Sequence, residues 1–146
     1  MAQLTLRILN LQKVISKYNK LGNIDITPPI KTATAIVQRR AKELAPYKTG
    51  DLQRSIHRKI YRSKGQPYGK VFTNLEYAIY QEFGYTRNIR KGESLFGGAR
   101  VATKDITVIY AGKPFMRPAM DIEKRNIRKI VESYMRKEFN KIKHGQ

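Results

Sequence analysis

The 146-residue chain has no cysteine, no tryptophan and only two histidines, and it carries eleven Asp or Glu against thirty Lys or Arg. Each shortage excludes something. Without cysteine there is no disulfide framework, no thiolate zinc site and no cysteine nucleophile, and the redox compartment cannot be read from cysteine usage. His57 falls on a predicted strand and His144 close to the chain end. Neither has a second His, Cys or carboxylate at metal-ligand spacing. Glu76 and Glu82 are too isolated to read as an acid/base pair. Gly97-Gly98 is not framed by either phosphate-loop spacing, GxxxxGK[ST] or GxGxxG. No apolar run approaches the ~20 residues a membrane helix needs. The start, Met1 to Leu6, lacks the charged-then-apolar layout of a signal peptide. The expectation is a soluble intracellular protein that is not an enzyme and uses no metal or cofactor. A basic RNA-cleaving enzyme, which can work with scattered Arg, Lys, Tyr and His, would leave almost no signature and stays open.

What is present suits one packed domain over residues 1–146. Forty per cent of the residues are apolar, with nine Tyr and five Phe, too many for a disordered polycation. The net charge of +19 is spread evenly, at +6 over residues 1–44, +4 over 45–86, +5 over 87–117 and +4 over 118–146. It is therefore a property of the whole domain and not of a tail. An evenly basic domain neutralises phosphates or meets acidic protein surfaces. Tyr18, Tyr47, Tyr61, Tyr68, Tyr85 and Tyr110 interleave with the basic residues and could stack on bases, so a basic nucleic-acid-binding module is the alternative reading. No zinc knuckle, aromatic RNP strand or helix-turn-helix spacing supports it.

Periodicity supplies the elements. Leu4, Ile8, Leu11, Val14, Ile15, Tyr18 and Leu21 recur at three and four, predicting a helix stopped by Gly22. Thr27-Pro28-Pro29 opens a second helix, marked by Ile30, Ala33, Val37, Ala41 and Leu44. It must end before Pro46, because the residue preceding proline is pushed out of the helical region. Thr49-Gly50-Asp51 is a turn, with glycine free to take positive φ and Thr49 placed to cap; Leu52 and Ile56, four apart, anchor it. A hairpin follows, with strands at 56–61 and 70–73 around a turn-rich 62–69. Leu75, Ile79 and Phe83 predict a short helix stopped by Gly84. Residues 85–104 show no period and hold Arg87, Arg90, Lys91, Arg100 and Lys104 with three glycines. This predicts a long, flexible basic loop, of a length that is usually functional, with Leu95-Phe96 as its apolar anchors. Ile106–Tyr110 is strand-like through β-branching. Pro118 suits the first turn of a long last helix, with Phe115 or Met116 packing back onto it. The class is α+β: a small antiparallel sheet with a hairpin, packed by two N-terminal helices and a long C-terminal helix.

Three segments in series carry a resemblance. Residues 45–56 read A-P-x-x-T-G-x-L-x-x-S-I, through Ala45, Pro46, Thr49, Gly50, Leu52, Ser55 and Ile56. Residues 76–84 run through Tyr80 into Glu82-Phe83-Gly84. Pro114-Phe115-Met116-Arg117-Pro118 leads into the last helix. In this order and spacing the chain resembles the small tail-completion or head–tail joining (neck) morphogenesis proteins of long-tailed bacteriophages.

The resemblance implies a non-catalytic virion protein at the neck or top of the tail, assembled in the host cytoplasm, with no membrane partner. It implies a ring of identical subunits, expected to be a hexamer. The implied partners are portal or connector, tail-terminator and tail-tube proteins, with packaged DNA in the lumen as a further one. The motif residues are expected to be architectural. Arg87, Arg90, Lys91, Arg100, Lys104 and Arg117 are the candidates to face a neighbour or DNA.

Overall fold

A computed structural model describes residues 4–7, 24–63, 66–94 and 102–144. Its elements run β1 (Leu4–Arg7), α1 (Thr27–Leu44), α2 (Asp51–Ser55), β2 (His57–Ser63), β3 (Gln66–Thr73), α3 (Tyr77–Phe83), β4 (Tyr85–Ile89), β5 (Ile106–Tyr110) and α4 (Met116–Lys143). β1, β3 and β2 form one antiparallel sheet in that order, and β4 pairs with β5 in a second. The α+β class is as expected.

α1 packs on β2 and β3 with one side and on α4 with another. It starts where the two prolines sit in its first turn. Asp25 accepts from the Thr27 amide at 3.0 Å and from its hydroxyl at 2.5 Å, so the cap comes from Asp25 and not from Thr27. These bonds hold the Asp25 carboxyl below its usual range. α1 ends at Ala45, whose ψ of 130° is the extended geometry that Pro46 demands. Ile30, Ala33, Val37, Ala41, Ile56, Val71, Phe115, Ile127, Val131 and Met135 make the core.

The helix meets the sheet at Gly69, where a Cβ would lie 1.8 Å from the Thr34 hydroxyl oxygen. That hydroxyl is fixed by donating to the Ile30 carbonyl at 2.6 Å, so it cannot turn away without losing its bond. Gly69→Ala should therefore cost about 1–3 kcal/mol by overpacking. Thr34→Ala in the same chain should recover much of that loss in a denaturant double-mutant cycle, and strict additivity would contradict the contact.

One ion pair joins α1 to α4. Arg40 donates to the buried Glu123 at 2.9 Å, and Asn126 donates to the other carboxylate oxygen at 3.1 Å. The Asn126 bond first, then Arg40, holds the Glu123 carboxyl below its ordinary value of 4.5. A lowered folded-state pKa gives stability that is present above the unfolded value and lost as the pH falls through the folded one. Glu123→Gln should thus cost roughly 1–2 kcal/mol at pH 7, since Arg40 is partly solvated. The difference from wild type should close below about pH 4.5; a gap independent of pH would refute the assignment.

Four expectations are corrected. Leu4–Arg7 is a strand and not the start of a helix. The pairing register sets Leu4 opposite Thr73 and Leu6 opposite Val71. The rest of the predicted first helix lies outside the described residues. The hairpin turn is shorter than expected, because pairing continues to Ser63 and Gln66. Pro67 is tolerated there because, among the described residues, β1 pairs only with residues 70–73 of β3, and a proline needs a strand edge with no donor to lose. α3 turns Ala78 and Glu82 inward, while Phe83 is 61% exposed. The expected loop at 85–104 begins as β4 and continues as paired backbone, with Gly92 donating to Ala102 at 2.9 Å and Ala102 to Glu93 at 3.0 Å. Residues 85–94 and 102–110 are therefore the two antiparallel sides of an arm. Its strand β4 was illegible because four of its five residues are exposed and show no apolar alternation.

Candidate assembly interface

The first motif is a knot of short-range contacts. Gly50 takes φ 79° ahead of α2. The Asp51 amide donates to the Thr49 hydroxyl at 3.4 Å, a weak form of the expected cap. Leu52 and Ile56 are buried as anchors. Ser55 donates to the Leu52 carbonyl at 2.8 Å and meets the Thr73 hydroxyl at 2.7 Å, which ties α2 to the end of β3. Gln53 donates to the Ala45 carbonyl at 3.3 Å and Gln38 to that of Ile56 at 2.8 Å. Pro46 ends α1 and lines the groove described below.

The second and third segments meet directly. α4 opens at Phe115 with no capping residue of its own. The buried Glu82 supplies the cap from α3. One carboxylate oxygen accepts from the Phe115 amide at 2.7 Å and the Met116 amide at 2.9 Å, and the other accepts from the Arg117 amide at 2.9 Å. Pro118 has no N–H, and the Ala119 amide is the first to bond within the helix, at 3.3 Å to the Phe115 carbonyl. Every amide of the first turn is thus accounted for. A negative charge sits where the helix dipole favours one. The carboxylate was legible as part of an E-F-G run, but its role was not. The signals were its spacing of four from Ala78 and the lack of Ser, Thr, Asp or Asn ahead of α4.

Immediately after Glu82 the chain enters the arm. Gly84 has φ 77° and ψ −177°, a conformation essentially confined to glycine. Its backbone lies against Gly112 at the other root of the arm: a Cβ on Gly84 would stand 2.3 Å from the Tyr110 carbonyl oxygen, and one on Gly112 2.5 Å from the Gly84 nitrogen. The Gly84 amide donates to the Tyr80 carbonyl at 2.8 Å and the Lys113 amide to that of Gln81 at 2.7 Å. Both roots of the arm are therefore fixed to α3, which is fixed to α4 through Glu82.

Aromatic side chains gather at this base. Tyr85 stacks on Tyr110 at 4.4 Å, and Tyr80 meets Tyr85 edge-on at 5.5 Å. With Tyr77 and Pro46 they line a groove of about 800 Å³, rimmed by Arg87 and Lys113. On the other flank of α3, Phe83, Pro114, Pro118 and Ile122 line a second groove of about 410 Å³. There Arg117 lies 5.9 Å from the Phe83 ring. Ile109, 77% exposed, stands on the outer face of the arm beside Thr86, Asn88 and Thr107.

The expected basic candidates are only partly brought together. Arg87 lies at the groove, while Arg90, Lys91 and Lys104 lie exposed further along the arm. Arg117 belongs to the other groove, and Arg100 lies outside the described residues. Arm carboxylates dilute the charge, for Glu93 and Asp105 sit among these cations and Asp105 accepts from the Lys91 amide at 2.7 Å. Among the described residues no group of His, Asp or Glu could hold a metal ion, and no helix is long and apolar enough to cross a membrane.

The model of one protein family, described as "Bacteriophage HK97-gp10, putative tail-component", matches residues 11–84, just over half of the chain. The chain belongs to this family. The match runs from before α1 to Gly84, so it takes in the first motif, the hairpin and α3 with its Glu82 and ends where the arm begins. No curated protein and no solved structure matches the chain. Membership makes this a structural component of a phage tail and places it in the virion. The arm and α4 lie beyond the matched span.

Proposed function

We propose that this tail component completes the upper end of the tail, or joins it to the head, as a non-catalytic ring of identical subunits. In this reading the arm and the aromatic grooves at its base make the contacts between neighbours. The observation that supports it is a two-stranded arm with both edges unpaired among the described residues, rooted rigidly and flanked by exposed Tyr77, Tyr80, Phe83, Tyr85 and Ile109. A lone two-stranded hairpin is marginal in water. Free strand edges are templates for pairing, and exposed apolar patches mark interaction sites. A projecting arm and the grooves at its base are different surfaces, as a head-to-tail contact needs, in which each copy offers a different surface to the next. Portal, tail-terminator and tail-tube proteins are the other partners in this reading.

The test is a variant combining Tyr77→Ala, Tyr80→Ala and Ile109→Asp, all at exposed positions. It should melt within a few degrees of wild type, because surface substitutions cost little. It should fail to restore joined, infectious particles in a phage lacking the gene, with unjoined heads and tails seen by electron microscopy. Normal particles from this variant would overturn the reading.

A further inference from the structure

We infer that the face of the β1–β3–β2 sheet turned away from α1 binds the phosphate backbone of nucleic acid, independently of the arm. The three strands carry Arg7, Arg58, Lys59, Arg62 and Lys70 and no acidic residue. All eleven Asp and Glu side chains lie in described segments outside these strands.

The register sorts the sheet into two faces. Gly69, Val71 and Thr73 are buried on the side of α1. The opposite face presents three rungs in line: His57 with Phe72, Lys59 with Lys70, and Tyr61 with Tyr68. Tyr61 and Tyr68 stack at 5.6 Å, and His57 meets Phe72 at 6.2 Å.

The middle rung is the unusual feature. Like charges directly opposite each other destabilise an antiparallel pair, and here both ammonium groups converge. Lys59 Nζ lies 5.4 Å from the Tyr61 ring centre, and Lys70 Nζ lies 6.0 Å from it and 5.5 Å from that of Phe72. No ion pair among the described residues reaches β2 or β3; the pairs that form use Arg39, Arg40, Arg54, Arg128 and Lys141. The cations on the helix side differ, for Arg58 donates to the Lys31 carbonyl at 3.2 Å and Arg62 feels Asp25. The sheet thus holds two cations together with no counter-charge, a cost that a bound polyanion would remove.

The aromatic frame favours nucleic acid over an acidic protein. Lysine meets phosphate as a point charge. Rings flanking the lysines offer stacking surfaces to unpaired bases. The arm, where cations alternate with Glu93 and Asp105, has no such undiluted face.

The experiment uses the full chain with labelled 20-nucleotide single-stranded and duplex DNA, followed by fluorescence anisotropy against salt. Lys59→Ala with Lys70→Ala should weaken both about tenfold or more at low salt and lower the log–log salt slope by nearly two. Lys129→Ala with Lys137→Ala removes the same charge from exposed positions of α4 and should have a much smaller effect. Tyr61→Ala should weaken single-strand binding if bases stack, and spare duplex binding if only phosphates are held. Three results would overturn the inference: no measurable binding to either DNA, equal losses from the two lysine pairs, or equal competition by polyglutamate. None bears on the arm, so tail assembly could fail or survive separately.

Discussion

Replacing Glu82 by Ala should lower stability by about 3–5 kcal/mol, one of the two largest effects expected of any single substitution here. The carboxylate is buried and accepts three amides that have no other acceptor. Hydrogen bonds to a charged group are worth about 1.5–3 kcal/mol each, and buried donors left unpaired cost about 1–3 kcal/mol apiece. These terms are not additive, and water entering the space left by the side chain would recover part of them. Glu82→Gln separates charge from shape. It keeps one good acceptor but turns an NH2 toward backbone donors, so about half or more of the loss should remain. Urea denaturation gives the measurement, with an unchanged slope showing that the folded state stays compact. A midpoint for Glu82→Ala equal to that of wild type would show that water caps α4 just as well.

Glu82 also marks the boundary of what could be read from the sequence. The local signals held. Two prolines opened α1 and Pro46 closed it, Gly50 and Gly84 took positive φ as their contexts required, and Pro118 entered the first turn of α4 with Phe115 and Met116 buried behind it. Each depends on a residue's own backbone chemistry within a few positions. The failures are non-local. Glu82 finds its partners more than thirty residues away, and nothing in the local pattern of α3 points to them. β1 is four residues long, and its Leu4 fits the helical stripe continued by Ile8 and Leu11 as well as an alternating strand until β3 is there to pair with. β4 escaped detection because it is exposed and hydrophobic periodicity reports burial, whereas β5 was legible through its β-branched run. The lysine pair on the sheet face opposite α1 needed the strand register: Lys59 and Lys70 look ordinary until His57↔Phe72 and Tyr61↔Tyr68 fix them as neighbours. Evenly spread charge along the chain therefore concealed an uneven distribution in space, with carboxylates on the helices, just ahead of them and on the arm, and none on the three-stranded sheet.

Gly84→Ala is the second large expected effect, and it concerns the direction of the arm. Two costs combine. The φ of 77° with ψ of −177° lies in a region that L side chains avoid, at about 1–3 kcal/mol. The added methyl would also press on the Tyr110 carbonyl at 2.3 Å and the Gly112 nitrogen at 2.7 Å, backbone atoms that yield only if the arm pivots. Overpacking of this kind adds about 1–3 kcal/mol, so a total near 3–5 kcal/mol is expected. Gly112→Ala isolates the second cost. Gly112 is not among the positive-φ glycines, but a Cβ there would meet the Gly84 nitrogen at 2.5 Å and the Glu82 carbonyl oxygen at 2.8 Å. Its loss should be the smaller by the strain at Gly84. Equal losses would show that strain contributes nothing. Hydrogen exchange locates the damage: amides of β4 and β5 should lose protection in both variants, while those of α1, packed against the sheet and α4, keep it. A variant whose arm amides exchange as slowly as wild type would show that the glycine crossing does not hold the arm. If the crossing does hold it, both glycine variants should impair joining of heads to tails with Ile109 and the tyrosines intact, because a mis-aimed arm cannot meet the next subunit.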